Sequence, residues 1–228
     1  MKYKNTIEGI FISRPNRFIA HVSVNGATLI CHVKNTGRCR ELLVPGCRVI
    51  LEDSNNPLRK TKYDLIAVYK GDKLINMDSQ APNKVVGEWL AAGALSGGVT
   101  LIKPECIYRN SRFDFYIEAD GRKIFAEVKG VTLEENGVVL FPDAPTERGV
   151  KHINELIDAV KNGYEAYIFF VIQMRECLYF TPNEKTHPEF AEALRLAARS
   201  GVHIRALNCS VCEDEISIVE EVTVKLNI

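Results

Sequence analysis

Three charged side chains in two neighbouring segments have the types and spacing needed to bind a metal ion and act on a phosphodiester. Asp114 lies in the first segment, and Glu127 and Lys129 lie two residues apart in the second. Carboxylate oxygens are ligands that suit Mg²⁺ and Mn²⁺. A neighbouring ammonium group can orient an attacking water while the metal polarises a phosphate oxygen. We therefore take these three as candidate catalytic residues, and the two acids as candidate metal ligands.

The turn between the two segments predicts how they pair. Asp120-Gly121 separates them, and this dipeptide favours a two-residue type I′ hairpin. If Ala119 faces Arg122, each step outward keeps the strands in register until Asp114 faces Glu127. Side chains that face each other directly have Cβ atoms about 4.5–5.5 Å apart. Two carboxylates so close repel unless one is protonated or a cation lies between them, so the register predicts a cation site.

Alternation along the two strands divides the hairpin into an apolar and a charged face. The charged face carries the two acids with Lys129 and Arg112, beside the aromatic pair Tyr116 and Phe125. The alternative is a surface hairpin whose polar face is solvated, with Lys129 and Arg112 neutralising the acids. The apolar face gathers Phe113, Phe115, Ile117, Ile124, Ala126 and Val128.

The order of predicted elements favours the metal site over the solvated hairpin. A helix near 85–95 precedes strands near 106–108, 113–119 and 123–131, and a helix near 146–161 and a buried strand at 166–173 follow. An acid on the second strand and Glu-x-Lys on the third resemble the core of PD-(D/E)xK nucleases. On that resemblance Asp114, Glu127 and Lys129 match the motif. Glu88, in the preceding helix, or Glu105 is a candidate for a further metal ligand.

The helix at 146–161 carries an apolar stripe and several polar side chains beside it. Arg148, at its N-terminal end, and the free backbone N–H groups there are well placed for a phosphate. Lys151, His152 and Glu155 also lie off the stripe, and we interpret His152 as an ordinary surface or core-edge histidine rather than a functional one. The stripe consists of Val150, Ile153, Leu156, Ile157 and Val160.

The first 80 residues predict a small β-barrel. Short β-rich runs lie near 10–12, 18–24, 27–33, 47–52 and 63–69, and Asn25-Gly26 favours a type I′ hairpin between two of them. Five short strands without a long amphipathic helix are typical of a closed barrel, and we prefer the OB fold to an SH3-like barrel. Polar residues and a proline at 78–83 mark the boundary. The fold prediction is therefore an OB-like domain at 1–80 followed by an α/β domain at 81–228, a restriction-endonuclease-like fold of PD-(D/E)xK type.

Charge is distributed unevenly between these domains although the chain as a whole is neutral. Residues 1–80 carry 13 Lys+Arg against 7 Asp+Glu, a net +6, and the remainder carries 16 against 22, a net −6. Chance is the alternative explanation, but three basic loops lie in the small first domain, at 14–18, 34–40 and 59–63. Such loops on a barrel rim bind nucleic-acid backbone. The predicted DNA-binding residues are Arg14, Arg17, Arg38, Arg59, Lys60, Arg112, Arg148 and Lys151.

The cysteines and the apolar runs limit the class of protein. Seven scattered cysteines argue against a disulfide framework, and Cys209 and Cys212 have the spacing of only half a zinc site. The N-terminal residues lack the apolar stretch of a signal peptide, and the longest apolar run, 166–172, is too short to span a membrane. We therefore expect a folded cytoplasmic protein that does not enter a membrane.

Five ordered stretches, spread over most of the chain, resemble the sugar fermentation stimulation protein A family. That resemblance implies an OB-fold first domain, a PD-(D/E)xK-like second domain, DNA binding with little sequence preference and a regulatory link to maltose metabolism. Two hypotheses stay open: a protein that binds DNA, expected to be duplex, and a nuclease dependent on Mg²⁺ or Mn²⁺ that cleaves DNA or RNA. The matching stretches are 14–18, 35–38, 111–115, 127–133 and 141–152.

Overall fold

The computed structural model describes residues 1–35, 37–95 and 97–226, so Thr36 of the second basic loop lies outside the described residues. The chain forms two compact units. The first comprises Met1–Ala81 together with two short later segments, Gln173–Arg175 and Cys209–Ser217. The second comprises Pro82–Ile172, Glu176–Asn208 and the chain from Ile218 onward.

The first unit is a closed β-barrel with OB topology. Its strands are β1 (Thr6–Asn16), β2 (Ile19–Val24), β3 (Ala27–Val33), β4 (Arg48–Asp53), β5 (Tyr63–Lys70) and β6 (Lys73–Asn76). They lie in the order β3-β2-β1-β4-β5-β6, and parallel pairing of β3 with β5 closes the barrel. All five predicted runs are strands, whereas the short β6 was not predicted. Closure removes the open edges of the sheet, which confirms the OB-like barrel.

Local sequence fixes the β2–β3 hairpin of this barrel. Asn25 and Gly26 both have positive φ, 50° and 82°, as a type I′ turn requires. Val24 pairs with Ala27 directly beside the turn. The predicted hairpin is therefore confirmed.

The second unit is built around a mixed six-stranded sheet with the order β15-β14-β12-β9-β8-β7. The helices are α1 (Ala81–Ala91), α2 (Glu147–Lys161) and α3 (Pro188–Arg199). The strands are β7 (Val99–Tyr108), β8 (Ser111–Ala119), β9 (Arg122–Val131), β10 (Leu133–Glu135), β11 (Val138–Phe141), β12 (Glu165–Ile172), β13 (Tyr179–Pro182), β14 (His203–Val211) and β15 (Ile216–Val222). A small separate sheet has the strand order β10-β11-β13. The first helix begins and ends about four residues earlier than the predicted 85–95.

The hairpin of β8 and β9 has the predicted register over most of its length. Asp120 and Gly121 have φ of 50° and 75°, and the strands pair from Ala119↔Arg122 to Phe115↔Ala126. On its other edge β9 pairs in parallel with β12, which in turn pairs in parallel with β14. The candidate acids therefore lie near the middle of the sheet.

Helix α2 packs against β8, β9, β12 and α3, and its buried face differs from the predicted stripe. Val150 and Val160 are partly exposed, whereas Gly149, His152 and Ala159 are buried. The helix contacts both the sheet and α3, so its covered face is wider than the apolar residues alone indicate. A Cβ atom at Gly149 would lie 3.1 Å from the Phe190 ring of α3, which explains the glycine. His152 is only 5% exposed, so it is not a surface histidine, and whether it is an ordinary core-edge residue or a functional one is untested by its burial.

No helix in the described part of the chain is both long enough and apolar enough to cross a membrane.

Candidate functional site

Glu127 is a buried carboxylate in which one oxygen accepts two hydrogen bonds and the other accepts none from the described residues. The residue is 3% exposed in the middle of β9. Its Oε1 accepts a hydrogen bond from Nζ of Lys129 at 2.6 Å and another from Nδ1 of His152. Its Oε2 is buried and accepts no hydrogen bond from the described residues. The alternative of a solvated surface hairpin is therefore wrong, and a cation would supply the partner that the described residues do not give this oxygen.

Asp114 lies one step beyond the last paired residues of the β8–β9 ladder, so the predicted direct pair with Glu127 is not formed. Here its side chain acts as the acceptor in place of a backbone carbonyl. Oδ2 accepts a hydrogen bond from the backbone N–H of Val128 at 2.7 Å. Oδ1 accepts a hydrogen bond from Nδ2 of Asn83, in α1, at 2.7 Å. The acid is thus fixed where the two strands separate.

The separation of the strands also changes the side on which Phe113 lies. Strict alternation places it on the same face as Phe115, but its ring lies 5.4 Å from that of Phe125 and 6.3 Å from that of His152. Phe115, in contrast, lies near Gly87 of α1. The predicted apolar face is therefore wrong at Phe113, because alternation holds only while the strands stay paired.

The two acids differ in their preference for the charged state. Burial raises the pKa of Asp114, and the negative charge of Glu127 raises it further, against the opposing hydrogen bonds. Burial alone would also raise the pKa of Glu127. The hydrogen bond from His152 and the charge of Lys129 outweigh it, so the pKa of Glu127 lies below its ordinary value. Glu127 is consequently the stable anion of the pair, and a cation would favour ionisation of both.

Arg148 and His152 lie one turn apart on α2 and form a short relay to Glu127. Nε of Arg148 donates to Nε2 of His152 at 3.3 Å, which requires a lone pair on Nε2. Nδ1 therefore carries the hydrogen that is donated to Glu127. The Thr146 side chain caps this helix by accepting from the backbone N–H of Gly149 at 3.1 Å. The sequence feature that could have indicated a buried His152 is its position next to Ile153 and four residues before Leu156, both buried on α2.

The remaining candidate ligands do not join the two acids. Among the described residues no three His, Cys, Asp or Glu side chains are grouped to hold a metal. Glu88 is exposed on α1, and Glu105 is 68% exposed with its carboxylate 3.5 Å from Arg112. Neither is seen in contact with the two acids, and a further carboxylate from either residue stays a prediction. Two carboxylates still fit a hard divalent cation, because Mg²⁺ is commonly bound by one or two carboxylates and keeps several waters.

Arg14 supports loops of the barrel instead of presenting its charge to solvent. Its two terminal nitrogens donate to the backbone carbonyls of Gly37, Arg38, Arg17 and Asn35, at 2.7–2.9 Å. Its Nε is buried and has no hydrogen-bond partner in the described chain. The geometry thus assigns Arg14 to holding two basic loops together, in place of the predicted phosphate contact.

The other predicted DNA-binding residues are distributed over both units. Arg59 is bound in a bidentate pair to Asp64, and Nζ of Lys151 donates to the carbonyl of Asn110 at 2.9 Å. Arg148 and Arg112 are exposed but have the contacts to His152 and Glu105 given above. The exposed candidates of the barrel are Arg17, Arg38 and Lys60.

Comparison with known proteins covers nearly the whole chain. A family model described as the SfsA N-terminal OB domain matches residues 12–77, and one described as the sugar fermentation stimulation protein RE domain matches residues 80–215. Sugar fermentation stimulation protein homologs of Ruminiclostridium cellulolyticum and Clostridium beijerinckii are 62% and 60% identical over 226 residues, 99% of this chain and 100% of each relative. A solved structure of Pyrococcus furiosus SfsA in complex with Ca²⁺ is 31% identical with a TM-score of 0.90, covering 99% of this chain and 98% of that one. An OB-like barrel followed by a restriction-endonuclease-like domain is therefore the fold.

Proposed function

The chain belongs to the sugar fermentation stimulation protein family, and from that premise we propose that it binds DNA with little sequence preference and holds a divalent cation at Asp114 and Glu127. Duplex DNA is the expected partner. The regulatory link to maltose metabolism that the family resemblance implies stays a prediction.

The main support for the cation site is Oε2 of Glu127, which is buried and accepts no hydrogen bond from the described residues. A buried polar atom without a partner costs about 1–3 kcal/mol, and more when the group is charged. The charge of Glu127 raises the pKa of Asp114, so the two carboxylates interact, and we take Asp114 as the second ligand of the ion. The Pyrococcus furiosus relative is described as a complex with Ca²⁺. Mg²⁺ and Mn²⁺ take the same oxygen ligands, so they are the proposed ions here.

Neighbouring groups orient the carboxylates of Glu127 and Asp114 by hydrogen bonds. Lys129 and His152 both donate hydrogen bonds to Oε1 of Glu127, so Oε2 is the oxygen that would bind a cation. Asn83 and the Val128 backbone N–H fix the two oxygens of Asp114. A divalent cation bound there would attract a phosphate oxygen and stabilise negative charge on it.

The barrel supplies the complementary attraction to the DNA backbone. Arg17, Arg38 and Lys60 are exposed, and residues 1–80 carry a net charge of +6. Contacts between such side chains and phosphates carry no sequence information, which accounts for the low sequence preference.

Two titrations test this proposal. Calorimetric titration with Mn²⁺ should detect one site, which Asp114→Asn and Glu127→Gln each weaken greatly. Fluorescence anisotropy with unrelated duplexes should give similar affinities for all sequences. Asp143→Asn, a change of an exposed acid outside the site, serves as the control. Unchanged Mn²⁺ affinity in both site variants would remove the cation site, and an absence of duplex binding would remove the DNA-binding function.

Phosphodiester hydrolysis is the second candidate, favoured by the position of Lys129. Its Nζ lies 2.6 Å from Oε1 of Glu127 and its side chain is only 16% exposed. Labelled DNA and RNA incubated with Mg²⁺ and Mn²⁺ test this activity directly. If cleavage occurs, Lys129→Ala should abolish most of it while Mn²⁺ still binds. Full turnover in that variant would exclude Lys129 from catalysis.

A further inference from the structure

A pocket of about 430 Å³ opens on the barrel and is lined by residues of the first unit. Ligand pockets span about 300–1,000 Å³, so its size suits a small organic group. Phe18, at the end of the β1–β2 connection, and Arg59, in the β4–β5 connection, form part of its wall. His32, on β3, and Gln80 also line the pocket. In OB folds these two connections and the face of strands 2 and 3 bind oligonucleotides and oligosaccharides.

The wall of this pocket is held rigidly by a buried acid. Asp64 is 6% exposed and accepts hydrogen bonds from both terminal nitrogens of Arg59, at 2.9 and 2.6 Å. The same carboxylate lies 2.9 Å from Nδ1 of His32, which therefore carries a hydrogen. Nε2 of His32 has no hydrogen bond with the described residues and is open to a ligand. Arg59 is thus a wall of the pocket, and its position does not depend on a phosphate.

Phe18 presents an aromatic face at the rim of this polar pocket. The residue is 51% exposed and lines the pocket, so its ring is accessible to a ligand there. The guanidinium of Arg17 lies 6.0 Å from its centroid. An aromatic face flanked by a cation, with polar groups behind it, is the arrangement that stacks a nucleobase while the phosphate lies outside.

We propose that this pocket takes one unpaired nucleobase of a DNA strand, stacked on Phe18, with its polar edge toward His32 and Gln80. A base inside a duplex has both faces covered by its neighbours, so the ring can stack only on a base that has left the helix. The proposal rests on the proposed DNA-binding function and deepens it. The protein should bind single-stranded DNA, or duplexes with an unpaired end, more tightly than fully paired duplexes.

The cationic surroundings favour a nucleobase over a sugar in this pocket. Arg17 and Lys60 are exposed beside Phe18 and Arg59, and Arg38 is joined to Arg17 through the carbonyl contacts of Arg14. A neutral oligosaccharide gains nothing from this positive charge, whereas a nucleic-acid strand neutralises it along its backbone.

The experiment compares single-stranded and duplex DNA with the full-length protein in EDTA, so that the cation site does not contribute. Anisotropy is measured with an oligo-dT strand and with a blunt duplex of mixed sequence. Phe18→Leu should weaken oligo-dT binding about tenfold or more while duplex affinity changes little. Phe18→Tyr, which keeps the ring, should restore binding. Val44→Ala, a change of another exposed apolar side chain of the same unit, is the matched control and should leave both affinities unchanged.

Photocrosslinking gives a second readout that a general loss of affinity cannot imitate. Oligo-dT carrying 5-iodouracil should crosslink to the peptide that contains Phe18, and the crosslink should disappear in Phe18→Leu. Equal oligo-dT affinity in wild type and Phe18→Leu, or equal weakening of strand and duplex binding, would refute the proposal that the pocket binds a nucleobase. Calorimetric binding of maltotetraose that Phe18→Leu abolishes would overturn it too, by assigning the pocket to a sugar. If the duplex does not bind but oligo-dT binds through Phe18, the duplex proposal fails and the pocket stands.

Discussion

Nδ1 of His152 donates a hydrogen bond to Oε1 of Glu127, so helix α2 holds the acid that strand β9 buries. The two residues are 25 positions apart in the chain, and the parallel arrangement of β9 and β12 brings the intervening helix over the acid. With Oε1 fixed by this bond and by Lys129, only Oε2 of Glu127 is left for a cation.

Loss of His152 should weaken the cation site without removing a ligand. Partners that orient a metal ligand typically contribute about ten- to a hundredfold in metal affinity. We expect His152→Leu to lower Mn²⁺ affinity by that factor and His152→Asn, which retains an N–H donor, to recover part of it. Calorimetry measures both, with Asn154→Ala on the exposed face of α2 as the control. Wild-type affinity in His152→Leu would show that Glu127 needs no support from α2.

Removal of the exposed cations of the barrel should flatten the salt dependence of duplex binding. Each Lys or Arg that neutralises a phosphate contributes a slope of about −0.9 in log affinity against log salt. Arg17→Ala, Arg38→Ala and Lys60→Ala combined should therefore reduce the slope by about two to three, equally for unrelated sequences. Anisotropy at several salt concentrations measures it. An unchanged slope would move the phosphate contacts to Arg148, Lys151 and their neighbours.

Arg14 should behave differently from those three residues, because its guanidinium binds four backbone carbonyls. Arg14→Ala removes the donor from these part-buried and exposed carbonyls and with it the link between the loops, so we expect unfolding to become easier by about 1–3 kcal/mol. Urea unfolding followed by circular dichroism measures this, and Arg38→Ala, which removes only an exposed side chain, is the control. Equal stability of the two variants would contradict the supporting role of Arg14.

The raised pKa of Asp114 makes stability depend on pH when no metal is present. Since the folded pKa lies above the unfolded value of 3.8, folding favours the protonated acid. Its contribution is fully present below 3.8 and is lost as the pH rises through the folded pKa. In EDTA at neutral pH we therefore expect Asp114→Asn to be more stable than wild type, with the difference vanishing near pH 3.8.

Saturating Mg²⁺ should reverse this order at neutral pH, because only the wild-type carboxylate gains a bound cation. Urea unfolding with and without EDTA measures both effects, with Asp143→Asn as the control for the loss of one surface charge. A wild type that is the more stable protein in EDTA at neutral pH would contradict the raised pKa.

Several features followed from the sequence alone because their causes are local. Asn25-Gly26 and Asp120-Gly121 each impose positive φ at two successive residues, and such turns fix the pairing of the strands beside them. Alternation then placed Ile117, Ile124 and Ala126 in the core. Spacing within one strand likewise placed Lys129 beside Glu127.

Only the tertiary structure decided which partners these local elements meet. The β8–β9 ladder ends at Phe115↔Ala126, so Asp114 binds the Val128 N–H and Phe113 turns to the side of α2. No pattern in the helix identifies Glu127 as the partner of His152, and no basic loop reveals that Arg14 binds carbonyls. These outcomes depend on contacts between residues distant in the chain, where burial makes every unpaired donor or acceptor costly and so selects the partner.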